Sequence, residues 1–196
     1  MPLIIKAPWV QPEPAKLGGA GVTRSAALAE LVDLFPTAVE LAGLPMVPVS
    51  ERLEGASLVP ALRAPGNATA GGAYAFSQYP RCPEYDLQTQ GVLWECLNVH
   101  KANISLMGYS VRSAAWRLTE WRRWQGQAFC ADWSPAGLVA RELYSHAGNT
   151  GLGPASLDDF EYVNEAYEEQ ARGVVAQLAA ALKKQFHDSK QQQQQK

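Results

Sequence analysis

Basic and aromatic residues are interleaved between positions 81 and 124 and could together bind a ligand. The set consists of Arg81, Lys101, Arg112, Arg117, Arg122 and Arg123, interleaved with Trp116, Trp121 and Trp124. Arginine forks bind sulfate and carboxylate groups through two hydrogen bonds, and indole rings stack on sugar faces, so the set suits an anionic sugar. The alternative is an antiparallel hairpin whose arginines face solvent and whose tryptophans form the core.

Arg81 and Tyr79 are the substrate-binding candidates. They belong to the segment Ser77-Gln78-Tyr79-Pro80-Arg81, in which Pro80 fixes its own backbone φ and biases Tyr79 toward extended geometry. Arg81 would therefore be held on a short, stiff strand end. Arg112, by contrast, is expected to make a buried structural pair.

No catalytic or metal-binding residue can be assigned among the histidines and cysteines. The histidines, which lack the pattern of a triad or a ligand set, are His100, His146 and His187. The cysteines Cys82, Cys96 and Cys130 contain no C-x-x-C pair, which disfavours structural zinc. They are either separate buried thiols, or Cys82 and Cys96 form a disulfide, which would require an oxidising compartment.

The overall charge of the chain is nearly balanced. The 196 residues carry a net charge of -2, so bulk charge indicates neither a nucleic-acid binder nor a polybasic membrane protein. The first ten residues contain neither a signal peptide nor a membrane span. Asn67-Ala68-Thr69 and Asn103-Ile104-Ser105 are candidate glycosylation sites if the chain enters the secretory pathway.

The first third of the chain has α/β character. Residues 2–8 form a short apolar run bounded by prolines, which predicts a strand of a parallel sheet. Apolar residues then recur at helical spacing between positions 25 and 43, but Pro36 cannot lie inside a helix. A break at Asp33 solves this conflict, with Asp33 as N-cap, Pro36 in the first turn and Gly43 closing the helix at C′.

The remainder predicts an antiparallel sheet and a covering helix. Strand character occurs at residues 73–79, 105–112, 116–124 and 140–145, and the second and third segments are close enough to form a hairpin. A helix is predicted over residues 165–186 from the apolar stripe Ala171, Val174, Val175, Leu178 and Leu182. The Gln-rich tail over 188–196 is typical of disorder.

Six short motifs occur in order along the chain. Four are broad: Pro2-Leu3-Ile4-Ile5, Val32-Asp33-Leu34-Phe35-Pro36-Thr37, Leu53-Glu54-Gly55-Ala56-Ser57-Leu58 and Arg141-Glu142-Leu143-Tyr144-Ser145-His146. Two are narrower: Phe76-Ser77-Gln78-Tyr79-Pro80-Arg81 and Met107-Gly108-Tyr109-Ser110-Val111-Arg112. All six resemble motifs of the sulfatases, in the order of that family, and the two narrower ones favour the iduronate-2-sulfatase branch.

The resemblance implies a C-terminal fragment of an alkaline-phosphatase-like sulfatase fold, α/β to α+β in class. Residues 1–64 would end the large α/β domain, and 65–187 would form an α+β subdomain with a small four-stranded antiparallel sheet and a C-terminal helix. It also implies a sulfuric ester hydrolase that acts on heparan or dermatan sulfate, uses calcium, and works in a lysosome or outside the cell. The missing N-terminal sulfatase domain would be a partner.

The sequence departs from the family at the catalytic set. Sulfatases convert the cysteine of a Cys-x-Pro-Ser-Arg segment to formylglycine, and their calcium is held by Asp and Asn oxygens. None of the three cysteines has that context, and no Asp-His-Gly motif occurs. The chain alone is therefore expected to be inactive. The alternatives are a non-catalytic carbohydrate-binding or interaction module derived from a sulfatase, and an unrelated α+β binding protein.

Overall fold

The computed structural model describes residues 3–10, 24–45, 53–65, 72–82, 96, 99–149 and 160–188. The chain divides into two compact units. The first comprises Met1–Ala75, Ser113–Ala115 and Ala147–Leu157, and the second Phe76–Arg112, Trp116–His146 and Asp158–Lys196. Asn67 and residues 189–196 lie outside the described residues, and the domain division at residue 64 stays a prediction.

The described residues of the first unit form two short helices, α1 (Leu34–Leu41) and α2 (Val59–Arg63). A 3₁₀ turn over Leu31–Asp33 precedes α1, so the predicted break at Asp33 is confirmed. Pro36 lies in the first turn of α1, where no intrahelical donor is needed. Gly43 follows the helix with a φ of 65°, which confirms its predicted role at the C-terminus.

The side chain of Asp33 joins two segments of the first unit. It does not cap α1 but accepts hydrogen bonds of 2.8 Å from the backbone N–H groups of Glu30 and Ala56. Thr37 adds a second link, because its hydroxyl donates to the Asp33 carbonyl and accepts from the Leu58 N–H. The motif around Asp33 therefore fastens the loop before α2 to the start of α1.

The predicted strand over residues 2–8 is wrong for the described part of that segment. Residues 3–7 have no regular secondary structure, and a turn follows at residues 8–9. An apolar run becomes a strand only where another strand accepts its backbone hydrogen bonds. No such partner occurs for it within the described ranges.

The second unit is built on an antiparallel sheet, as predicted. Its strands are β1 (Ala75–Arg81), β2 (Leu106–Arg112), β3 (Trp116–Gln125), β4 (Cys130–Ala131) and β5 (Leu138–Ser145). β1 pairs with β2, β2 forms an antiparallel hairpin with β3, and β4 and β5 pair antiparallel with successive parts of β3. The two-residue strand β4 was not predicted, since it is too short to carry a periodic signal.

One face of this sheet is covered by the helix α3 (Arg172–Lys183). α3 packs on β2 and β3, and Phe186 beyond its end lies 4.7 Å from the Tyr109 ring, centroid to centroid. The side chains buried on this face and on the helix are Tyr109, Val111, Leu118, Leu143, Val175, Leu178 and Leu182. Alternation along the strands therefore directs the intervening side chains to the opposite face, which is called the open face below because no side chain of α3 packs on it.

α3 begins seven residues later than predicted, because the preceding segment follows the sheet. The Glu165 N–H donates to the Leu143 carbonyl. The Asn164 amide oxygen accepts from the N–H groups of Leu143 and Ala166, and its nitrogen donates to the Arg141 carbonyl. These bonds cover the outer edge of β5, which a helix could not do. No described helix is long and apolar enough to cross a membrane.

Candidate functional site

The open face of the sheet carries polar rows that run across neighbouring strands. Ser110 on β2 lies opposite Thr119 on β3, and Thr119 lies opposite Glu142 on β5. Their register places these three side chains on one face, and the Ser110 and Thr119 hydroxyl oxygens are 2.9 Å apart. This row forms the floor of the candidate site.

A hollow of about 150 Å³ lies over that floor. It exists because small side chains at its centre are surrounded by larger ones. The lining residues are Ser77, Tyr79, Gly108, Ser110, Arg117, Thr119, Trp121 and Glu142. All of them belong to the second unit.

Trp121 forms one wall of the hollow and is fixed on two sides. Its indole lies against the backbone of Gly108, where an added Cβ would come within 2.7 Å of the ring. Its Nε1–H donates to Glu142 Oε1 at 2.7 Å. A side chain at position 108 would push the ring away. The glycine of the Met107-Gly108-Tyr109 motif is therefore needed to keep Trp121 in this position.

Arg81 and Tyr79 lie on β1, beside this wall. The central guanidinium carbon of Arg81 is 5.6 Å from the Trp121 ring centroid, a distance at which a cation interacts with an indole. No hydrogen bond joins this guanidinium to another of the described residues. Tyr79 is 56% exposed at the edge of the hollow. Both groups are thus available to a ligand.

Glu142 presents a fixed carboxylate to the hollow. Its Oε1 accepts from Trp121, and its Oε2 accepts from the Tyr144 hydroxyl at 3.3 Å. Burial first, and then the neighbouring Glu142 charge and hydrogen bond, raise the pKa of Tyr144. Tyr144 therefore stays protonated and keeps donating to Glu142.

A second group of charges borders the hollow at Arg117. Its guanidinium donates to both carboxylate oxygens of Glu161, with an Nε to Oε1 distance of 2.6 Å. Glu161 Oε1 also lies 3.0 Å from Nε2 of His146, whose ring is 2% exposed. Burial, together with the charge of Arg112, lowers the pKa of His146, although the Glu161 hydrogen bond opposes this. His146 is therefore a neutral structural partner at neutral pH.

The basic set recognised in the sequence divides between the two faces. Arg117 and Trp121 lie on the open face, whereas Arg122 is buried on the helix-covered face. There Arg122 binds Glu120, which also accepts from Arg141, and its guanidinium lies 4.4 Å from the Trp133 ring centroid. The expectation that these arginines are solvated is therefore wrong for Arg122.

The acidic partners were missed by sequence reasoning. Glu120 and Arg122 are two positions apart on one strand and therefore lie on one face of the sheet. This spacing could have predicted their ion pair. Glu161 lies 44 residues from Arg117, and no spacing rule links such positions. Arg112, expected to make a buried structural pair, is half-buried and donates to the Trp116 carbonyl at 3.4 Å.

Cys82 and Cys96 are joined by a disulfide in the structure, and Cys130 is a free, exposed thiol. Asn103 is exposed at the end of a 3₁₀ turn over Lys101–Asn103. No group of three His, Cys, Asp or Glu side chains that could hold a metal ion occurs among the described residues. The described residues therefore do not provide a ligand set for calcium.

Comparison with known proteins agrees with the motifs. The chain is 33% identical over 134 residues to human iduronate 2-sulfatase and equally to the mouse protein. The chain is a relative of the sulfatases. Each match covers 60% of this chain but only 22% of the relative, so the match spans about a fifth of the relatives' length.

Comparison with solved structures and with family models gives weaker results. A solved structure of a candidate sulfatase from Bacteroides thetaiotaomicron aligns with a TM-score of 0.48 and 23% identity, and covers 81% of this chain and 24% of that one. No family model matches the sequence.

Proposed function

We propose that this chain supplies the C-terminal part of a sulfuric ester hydrolase that removes the 2-sulfate of iduronate from heparan and dermatan sulfate. The observation that carries the proposal is the 33% identity over 134 residues to human iduronate 2-sulfatase. The two narrow motifs on β1 and β2 support the same branch of the family. The 196 residues hold no Cys-x-Pro-Ser-Arg segment. The nucleophile and the calcium ligands would therefore come from residues outside this sequence.

The part assigned to this chain is recognition of the sugar. Arg81 offers an exposed guanidinium that contacts the Trp121 ring, and Tyr79 offers an exposed side chain on the same strand. A guanidinium fork binds a carboxylate or sulfate through two hydrogen bonds. These two residues are the substrate-binding candidates.

An N-terminal sulfatase domain is the proposed partner. The 3₁₀ turn and α1 of the first unit carry large apolar side chains that remain exposed: Leu31, Val32, Leu34 and Phe35. A contiguous apolar surface of this kind promotes association. In the complete enzyme these side chains would be buried against the catalytic domain.

A lysosomal or extracellular location accords with two features of the chain. A disulfide between Cys82 and Cys96 persists in oxidising compartments. Asn67 and the exposed Asn103 each lie in a sequon that glycosylation enzymes could use.

The proposal is tested first with this chain by itself. Purified protein is assayed against an iduronide 2-sulfate with calcium present, and we expect no turnover because the chain offers neither a nucleophile motif nor a ligand set. Turnover that tracks the protein through purification and survives the double variant His100→Gln/His146→Gln would contradict the assignment.

The second test is the sequence of the complete transcript and the activity of its product. An in-frame Cys-x-Pro-Ser-Arg segment and hydrolysis of the 2-sulfate by the full protein are the expected results. A reading frame without that segment would favour a non-catalytic carbohydrate-binding module. That alternative is supported by the hollow on the open face, which is a binding feature that needs no nucleophile.

A further inference from the structure

We propose that the hollow on the open face of the sheet binds one acidic monosaccharide unit, with the sugar hydroxyls on Glu142 and the sugar carboxylate on Arg81. The inference rests on the proposed function for the choice of a sugar as ligand. It adds the recognition of hydroxyl groups by Glu142, Ser110 and Thr119 to the anion recognition assigned to Arg81.

The size of the hollow sets the kind of ligand. Its volume of about 150 Å³ is far above the ~10–15 Å³ that accommodates one water molecule. The space therefore admits a ring rather than a solvent molecule. It remains open because Gly108, Ser110 and Thr119 are small where Trp121 and Tyr79 are large.

Glu142 determines that the ligand must bring hydrogen-bond donors. A carboxylate has about four acceptor positions, and Trp121 and Tyr144 each use one of them. The remaining positions suit the adjacent hydroxyl groups of a sugar. The same negative charge disfavours a bare anion, so inorganic sulfate is a poor ligand for the whole site.

Arg81 determines that the ligand must also bring an acid group. Its guanidinium is held over the Trp121 ring, and Trp121 in turn donates to Glu142. One indole therefore contacts both a carboxylate that lines the hollow and a cation that lies beside it. A hexuronate presents a carboxylate and several hydroxyls on one ring, which matches this pair of charges.

The test is a binding titration of the full 196-residue chain, in which binding is monitored through the NMR signal of the Trp121 indole N–H. The probes are a methyl iduronide or glucuronide, the neutral methyl glucoside and inorganic sulfate. We expect a Kd on the order of 1 mM for the uronides, since a ligand of this size has few atoms to contribute. The glucoside and sulfate should bind at least about tenfold more weakly, since each lacks one of the two recognised groups.

Variants separate this site from binding elsewhere on the surface. Arg81→Gln and Glu142→Gln should each weaken uronide binding about tenfold, as expected for loss of a charge-assisted hydrogen bond. Ser110→Val fills the floor with a residue that favours strands, and should abolish binding without unfolding the sheet. Arg172→Gln, on the exposed surface of α3, is the matched control and should bind as the parent does.

The inference is overturned if the glucoside binds as well as the uronides, if the Trp121 signal does not move, or if Ser110→Val binds normally. Its failure is distinct from that of the proposed function. If the complete protein hydrolyses iduronate 2-sulfate but this hollow binds no uronide, only the proposed uronide site is refuted. If the hollow binds uronides but the complete protein has no sulfatase activity, only the proposed enzymatic function is refuted.

Discussion

The guanidinium of Arg81 lies over the indole of Trp121, with 5.6 Å between its central carbon and the ring centroid. The contact orients a cation without using its hydrogen-bonding edge. Since the indole in turn lies against the backbone of Gly108, the position of Arg81 depends on two residues of other strands. Such support distinguishes a prepared binding group from a solvated surface arginine.

Replacement of Arg81 is expected to affect substrate binding more than folding. In the complete enzyme, Arg81→Ala should raise KM about tenfold and change kcat less, because a contact made in both the ground state and the transition state is lost. Arg81→Lys keeps the charge but loses the two-point fork, so its KM should be intermediate. Steady-state kinetics on an iduronide 2-sulfate measure both constants.

Arg112→Ala is the comparison variant for Arg81. Arg112 is half-buried and bonded to the Trp116 carbonyl, so its loss should lower protein yield and Tm while KM stays near the parent value. If Arg81→Ala unfolds the protein and leaves the KM of the folded fraction unchanged, Arg81 is a structural residue and its substrate-binding role is refuted.

The sheet could be predicted because its signal is local. Residues 105–112 and 116–124 alternate in a strand pattern and are joined by a short connection, and the structure places them in one hairpin. The register itself comes from the structure, which pairs Ser110 with Thr119. Pro36 and Gly43 likewise act through backbone geometry that each residue imposes on its own.

The candidate site could not be predicted in the same way, because its contacts join distant residues. Trp121 and Glu142 are 21 positions apart, and no pattern in the sequence states that they will bond. The late start of α3 has the same origin, since Asn164, directly before the predicted helix, and Glu165, its first residue, hydrogen-bond to β5. Side-chain bonds to another strand thus overrode the local helical propensity of residues 165–171.

Glu120 should be among the most sensitive positions for stability. It is 0% exposed, and each of its oxygens accepts hydrogen bonds from one arginine, Arg122 or Arg141. Glu120→Ala leaves a buried guanidinium without its partner, so we expect a loss of about 3–5 kcal/mol in the free energy of unfolding. Urea denaturation followed by circular dichroism measures it.

Glu169→Ala is the matched control for Glu120. Glu169 also pairs with an arginine, Arg172, but both side chains are largely exposed, so the change should stay within about 0.5 kcal/mol. Equal, small losses in the two variants would show that the buried arginines find other acceptors, and would contradict the importance given to Glu120.

Reduction of the Cys82–Cys96 disulfide should destabilise the second unit. The two cysteines are 14 positions apart, and a bridge that closes a loop of this length stabilises by about 3 kcal/mol through the unfolded state. Denatured, non-reduced protein should expose one thiol to an alkylating reagent, namely Cys130, and Cys130→Ser should expose none. Alkylation of all three cysteines before reduction would rule out the bridge.

The pH dependence of stability should reveal His146. Its ring is 2% exposed, stacks on Phe160 with 5.8 Å between ring centroids, and faces Arg112, Arg117 and Glu161. Burial and the Arg112 charge lower its pKa below the ordinary value near 6.5, so the unfolded chain binds this proton more readily than the folded one. The stabilisation is therefore complete above the unfolded pKa and decreases as the pH falls through 6.5 toward the lowered folded value.

We accordingly expect the free energy of unfolding to fall between pH 7 and pH 5, and His146→Gln to remove part of that fall. Glutamine can still donate to Glu161 but does not titrate, so the variant separates the proton from the hydrogen bond. His100→Gln, at an exposed position, is the control and should keep the parental slope. Urea titrations at several pH values give the slopes, and a His146→Gln slope equal to that of the parent would show that other groups cause the acid sensitivity.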